Sequence, residues 1–77
     1  MKTENLKRMY NDLRLGAIVD CNGCRIYRAE GSRGYDLFFW RYYGSSANRV
    51  SLSNLRWILK VIAESVDYSY QIVGYTD

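Results

Sequence analysis

A small α+β domain is predicted for this chain: an antiparallel sheet of three or four strands packed by two helices, in the order helix–strand–strand–strand–helix–strand. Three observations carry that prediction. Apolar residues recur at helical spacing in two separate stretches, Leu6 to Leu13 and Leu52 to Val66. An Asn22-Gly23 dipeptide between two short β-prone runs marks a hairpin. The stretch from Tyr35 to Tyr43 packs six of the twelve aromatic residues into nine positions and reads as a strand that is aromatic on both faces. A chain of 77 residues makes one domain, 1–77, with no room for a second core.

Thr3 is placed to cap a first helix running to about Leu13. Leu6, Met9, Tyr10 and Leu13 form one apolar stripe, and Lys7, Arg8, Asn11, Asp12 and Arg14 lie off it. Leu15 to Asp20 reads as a strand. Both central residues of a type I′ turn need positive φ, which Asn22-Gly23 supplies, and a two-residue turn fixes the register. Cys21 then faces Cys24, Asp20 faces Arg25, Val19 faces Ile26 and Ile18 faces Tyr27; the Asp20–Arg25 pair is of opposite charge, which supports this pairing. The next turn is Gly31-Ser32-Arg33-Gly34, and a loop of two or four residues there sets Tyr27 opposite Phe38 and Arg25 opposite Trp40. One sheet face then collects Ala17, Val19, Ile26, Leu37 and Phe39, with Arg28 and Arg41 towards its ends. The other collects Ile18, Asp20, Arg25, Tyr27, Phe38, Trp40 and Tyr42. The first is the expected core and the second an aromatic platform carrying an arginine.

Gly44-Ser45-Ser46-Ala47-Asn48 reads as a loop, and Ser51 or Ser53 caps a second helix running to about Glu64. Leu52, Leu55, Ile58, Leu59, Ile62 and Val66 share one broad face, the main partner of the sheet. Trp57 and Val61 lie i, i+4 apart on a different side. Tyr68 to Tyr75 alternates and reads as a last, edge strand. With two helices available, one on each sheet face gives a three-layer domain; otherwise the second face is open to a partner or to a second copy of the chain.

The formal net charge is +3, and nine of the eleven basic residues fall within residues 1–50, against five acids there. Arginine dominates that set, which suits planar contacts to phosphate, carboxylate or aromatic faces. No apolar run approaches the roughly 20 residues of a membrane span. The N-terminus lacks the apolar segment of a signal peptide, so a cytoplasmic location is expected, in the host cell if the chain is phage-encoded.

Little here supports chemistry. Histidine is absent, which removes the usual triads and dyads. Cys21-x-x-Cys24 has the spacing of half a zinc site, but the chain holds two cysteines in all and no histidine to complete four ligands, so only a dimer pooling two such pairs would supply them. The motif brackets a hairpin rather than opening a helix, unlike redox pairs of that spacing. The acids are scattered, and Gly31-Ser32-Arg33-Gly34 and Gly44-Ser45-Ser46 are too short for a phosphate-cradling loop. No enzyme activity, cofactor or metal is expected.

The helix–three strands–helix order over residues 3–64 is similar to the double-stranded-RNA-binding domain. That family's basic cluster at the start of its last helix is reduced here to one arginine in Ser51-Leu52-Ser53-Asn54-Leu55-Arg56. The meander and helix over residues 15–64 also look like the arm-type DNA-binding domain of tyrosine recombinases. In size, lack of catalytic residues and aromatic richness the chain resembles the small accessory proteins of bacteriophages and mobile elements, many of which plug a host enzyme or a defence complex.

The functional expectation is therefore a non-enzymatic binding protein. The first form of it is a protein-docking regulator or inhibitor of that accessory type, directed at a host protein or nucleoprotein complex. The alternative is a nucleic-acid-binding module in which the aromatics stack on bases and the arginines meet phosphates. Either way the expected partner-binding residues are Arg25, Tyr27, Arg33, Phe38, Trp40, Arg41, Tyr42, Arg49 and Trp57. A homodimer interface on the same face is the structural option.

Overall fold

The computed structural model describes residues 2–29 and 37–76. Its elements run α1 (Lys2–Arg14), β1 (Ala17–Cys21), β2 (Cys24–Arg28), β3 (Leu37–Tyr42), β4 (Asn48–Ser51), α2 (Leu52–Ala63) and β5 (Gln71–Tyr75), with a 3₁₀ turn at Glu64–Val66. The α+β class is as predicted. The sheet has five strands rather than three or four, all antiparallel, in the order β4-β3-β2-β1-β5.

The first hairpin forms as its turn chemistry requires. Asn22 (φ 50°) and Gly23 (φ 77°) are both left-handed, and Val19, Asp20 and Cys21 stand opposite Ile26, Arg25 and Cys24. The Asn22 side chain also donates to the Ile62 carbonyl (2.9 Å) and the Ser65 hydroxyl (3.2 Å), so the turn satisfies a carbonyl in the last turn of α2.

The second register differs from expectation by one residue. Tyr27 stands opposite Phe39, not Phe38, and Arg25 opposite Arg41, not Trp40. Ala29 N–H donates to the Leu37 carbonyl, so the connection between them has an odd number of residues, where a two- or four-residue loop has an even one. The turn expected at Ser32-Arg33 lies outside the described residues. Because side chains alternate with period two, that single step moves the whole of β3 to its opposite face. Phe38, Trp40 and Tyr42 point to the helix side, and Leu37, Phe39 and Arg41 to the other.

Other boundaries also move: β1 begins at Ala17 rather than Leu15, and β5 at Gln71 rather than Tyr68, because Tyr68 (φ 58°) is taken up by the turn after α2. Asn48–Ser51 is a strand, where a loop was expected up to Asn48; only Val50 of its residues is buried, opposite Phe38. α1 begins at Lys2, so Thr3 lies within it rather than capping it. Ser51 does precede α2 as its extended N-cap residue, without a side-chain capping bond. At the other end the chain reverses in a Schellman turn: Tyr68 N–H reaches the Ala63 carbonyl, Asp67 N–H reaches Glu64, and Asp67 sits at φ 55°.

A single core unites the helices and one sheet face. Leu6, Met9 and Leu13 of α1 and Leu55, Leu59 and Ile62 of α2 meet Ala17, Val19, Cys21, Cys24, Ile26, Phe38 and Val50 in one cluster. Both helices therefore lie on the same side, and Tyr10 joins them, with Arg14 and Arg56 5.9 and 5.5 Å from its ring centre. The three-layer arrangement is not formed. The described residues form two layers, and among them no helix lies on the second face of the sheet.

Candidate functional site

The helix-free face is ordered by the strand registers into two ranks. Arg49, Phe39 and Tyr27 stand side by side across β4, β3 and β2. One step along the strands, Arg41, Arg25, Asp20 and Gln71 stand side by side across β3, β2, β1 and β5. Neighbours within a rank are separated by about 4.8 Å of strand spacing, and the two ranks by about 7 Å of strand rise.

The first rank is aromatic. The rings of Tyr27 and Phe39 lie 5.7 Å apart at 45°, each partly exposed. Arg49 closes the β4 end. The second rank is charged. Arg25 grips Asp20 with both ends of its guanidinium fork, Nε to Oδ1 at 2.7 Å and an Nη to Oδ2 at 3.0 Å. The pair stays wet, with side chains 54% and 40% exposed. Hydrogen bonding from Arg25 holds the Asp20 carboxyl below its ordinary pKa, despite some desolvation. Arg41 stands directly opposite Arg25, an unfavourable like-charge placement. Among the described residues neither Arg41 nor Arg49 has an acidic partner.

Beside the second rank the surface sinks into an open depression of about 1010 Å³, whose lining includes Asp20, Arg25, Tyr27, Arg41, Tyr43 and Gln71. The face thus has a direction. Its β3–β4 side is cationic, its middle aromatic, and its β1–β5 side a neutralised acid beside an amide.

Of the residues expected to bind a partner, this face brings together Arg25, Tyr27, Arg41 and Arg49. Phe38 is fully buried on the other side, and Trp40 packs partly buried against the core. Tyr42 stands edge-on to Trp40 on the helix side, its ring centre 6.0 Å away. Trp57 is 65% exposed on α2, together with Val61 at 61%. Arg33 lies outside the described residues. Phe39, Asp20 and Gln71 belong to the face and were not among the expected binding residues. Arg41 held the missing signal: as the charged residue of Leu37–Tyr42 it belongs in water, and Phe39 and Leu37 share its parity.

The cysteines flank the first turn on the core side, both buried and free. Cys21 donates its thiol to the Ser69 carbonyl at 3.1 Å. Burial pushes both thiols up, Cys24 to about 11, the opposite of what thiolate chemistry needs. Among the described residues no three metal-capable side chains gather, and no helix is long and apolar enough to cross a membrane. Comparison with family models, with curated proteins and with solved structures finds no match for this chain.

Proposed function

We propose that this chain is a non-enzymatic binding protein whose helix-free sheet face takes a single strand of nucleic acid. One observation carries the reading: an aromatic pair, Tyr27 and Phe39, flanked by two arginines that have no acidic partner among the described residues. A flat aromatic surface is useful to unpaired bases, whose rings can stack on it for about 1–3 kcal/mol each. Bases inside a duplex present only their edges. Arg41 and Arg49 are diagonal neighbours, about 8 Å apart at the backbone, close to the spacing of successive phosphates in an extended strand.

The test is fluorescence anisotropy of a labelled single strand titrated at several salt concentrations. Binding is expected to weaken steeply with salt, and Arg41→Ala and Arg49→Ala each to reduce the log–log slope by about 0.7. No binding at low salt sinks the proposal.

The exposure of Trp57 and Val61 supports a second reading, the protein-docking regulator or inhibitor of a host enzyme or defence complex. Tryptophan is prominent among interface hot spots, and this one lies on the helix layer, away from the sheet face. Under that reading Trp57→Ala abolishes capture of the host partner while Phe39→Ala does not, and capture persists in high salt.

A further inference from the structure

Building on the single-strand reading, we infer that the Asp20–Arg25 pair and Gln71 form the base-reading side of the face, favouring bases with an exocyclic amine over thymine or uracil. Charge sets the orientation. Phosphates gather at Arg49 and Arg41, on the β3–β4 side, because those two cations lack acidic partners among the described residues. Bases that stack on Phe39 and Tyr27 from there extend towards β1 and β5, where Asp20 and Gln71 stand opposite each other.

An aspartate alone repels a polyanion. This one is neutralised by the bidentate contact of Arg25, so it can approach the strand without that penalty. A carboxylate has about four lone-pair sites. Arg25 occupies one on each oxygen, and the 40% exposure of Asp20 leaves the rest accessible. Those lone pairs accept hydrogen bonds and cannot donate them. The N4 amine of cytosine, the N6 amine of adenine and the N1–H and N2 amine of guanine are donors. Thymine and uracil offer one N–H between two carbonyl oxygens that a carboxylate repels. The adjoining depression, lined by Asp20, Arg25 and Gln71, provides room for a base edge.

The deciding comparison is oligo-dC against oligo-dT, two weakly stacking pyrimidines that differ in their hydrogen-bonding groups at positions 3 and 4 and in the thymine methyl, with oligo-dA as a third probe. Anisotropy on the wild-type chain is expected to give about tenfold tighter binding to oligo-dC than to oligo-dT, the scale of one charge-assisted hydrogen bond. Asp20→Asn, which adds a donor able to meet the thymine O4, is expected to erase that preference by weakening oligo-dC binding and strengthening oligo-dT binding. Asp20→Ala is expected to erase it as well, and circular dichroism of both variants checks the fold. Equal binding of the wild type to oligo-dC and oligo-dT, or a preference that survives both substitutions, overturns the inference and leaves the single-strand reading standing. Absence of binding to all three probes at low salt overturns the reading itself, and the inference with it.

Discussion

Phe38 and Phe39 are the same side chain one position apart, and the sheet sends them in opposite directions. Phe38 fills the core between Arg28 of β2 and Val50 of β4, while Phe39 meets the Tyr27 ring in the open. Truncating them should therefore separate stability from binding. Phe38→Ala is expected to cost about 3–5 kcal/mol in urea denaturation. Phe39→Ala is expected to cost about 1 kcal/mol, mostly the lost ring contact, and to weaken single-strand binding by about 1–3 kcal/mol. The reverse pattern would return β3 to the register predicted from the turn. Within Leu37-Phe38-Phe39-Trp40 no polar residue marks the wet side, so the sequence separates the two rings only through the parity of Arg41, which the register expected from a two- or four-residue turn overrode. The Asp20–Arg25 pair was legible, since a two-residue turn allows only one partner for each position.

Among the elements, those with a strong period or a defined turn were legible: both helices, the β1–β2 hairpin and the last strand. β4 was not, since one buried residue, Val50, leaves no alternation to recognise. β5 was expected as an edge and is one. Its residues Gln71–Tyr75 carry no charge, and Ile72, Val73 and Tyr75 are exposed. An edge strand leaves backbone N–H and C=O groups open to another strand, and a charge there is the usual protection. Val73→Lys is accordingly expected to reduce any concentration-dependent association seen by sedimentation velocity, with little change in thermal midpoint. A wild-type chain that stays monomeric at high concentration would remove the homodimer expectation.

At the scale of the whole molecule, two helices on one side of five strands concentrate the apolar burial in a single layer interface, which a chain of 77 residues needs. Which side the helices take was not legible, because an amphipathic helix shows only that it docks, not on which face. The same burial shapes the response to pH. Cys24 rises from about 9 to about 11 chiefly through desolvation, and Cys21 and Tyr70 rise as well. A raised folded-state pKa contributes stability that is complete below the unfolded value and lost as pH climbs through the folded one. Folding stability is thus expected to fall between about pH 9 and 11, by on the order of 2 kcal/mol from Cys24, and thermal midpoints to fall with it. Cys24→Ala should flatten that limb whatever it does to the midpoint at neutral pH. A curve of unchanged shape would show that the thiol is not buried in solution. Asp20 acts at the acid end with the opposite sign: its contribution is present at neutral pH and fades as the carboxylate is protonated.

The bond from Asn22 to the end of α2 has a consequence for the ageing of the protein. An Asn-Gly step is the sequence most prone to deamidation, which replaces the side-chain amide with a carboxylate. Here that change would convert a donor into an anion facing the Ile62 carbonyl, where the helix terminus already carries partial negative charge. Chemical wear at one surface turn would thus be felt as repulsion between the first hairpin and the second helix, on the far side of the sheet from its open face.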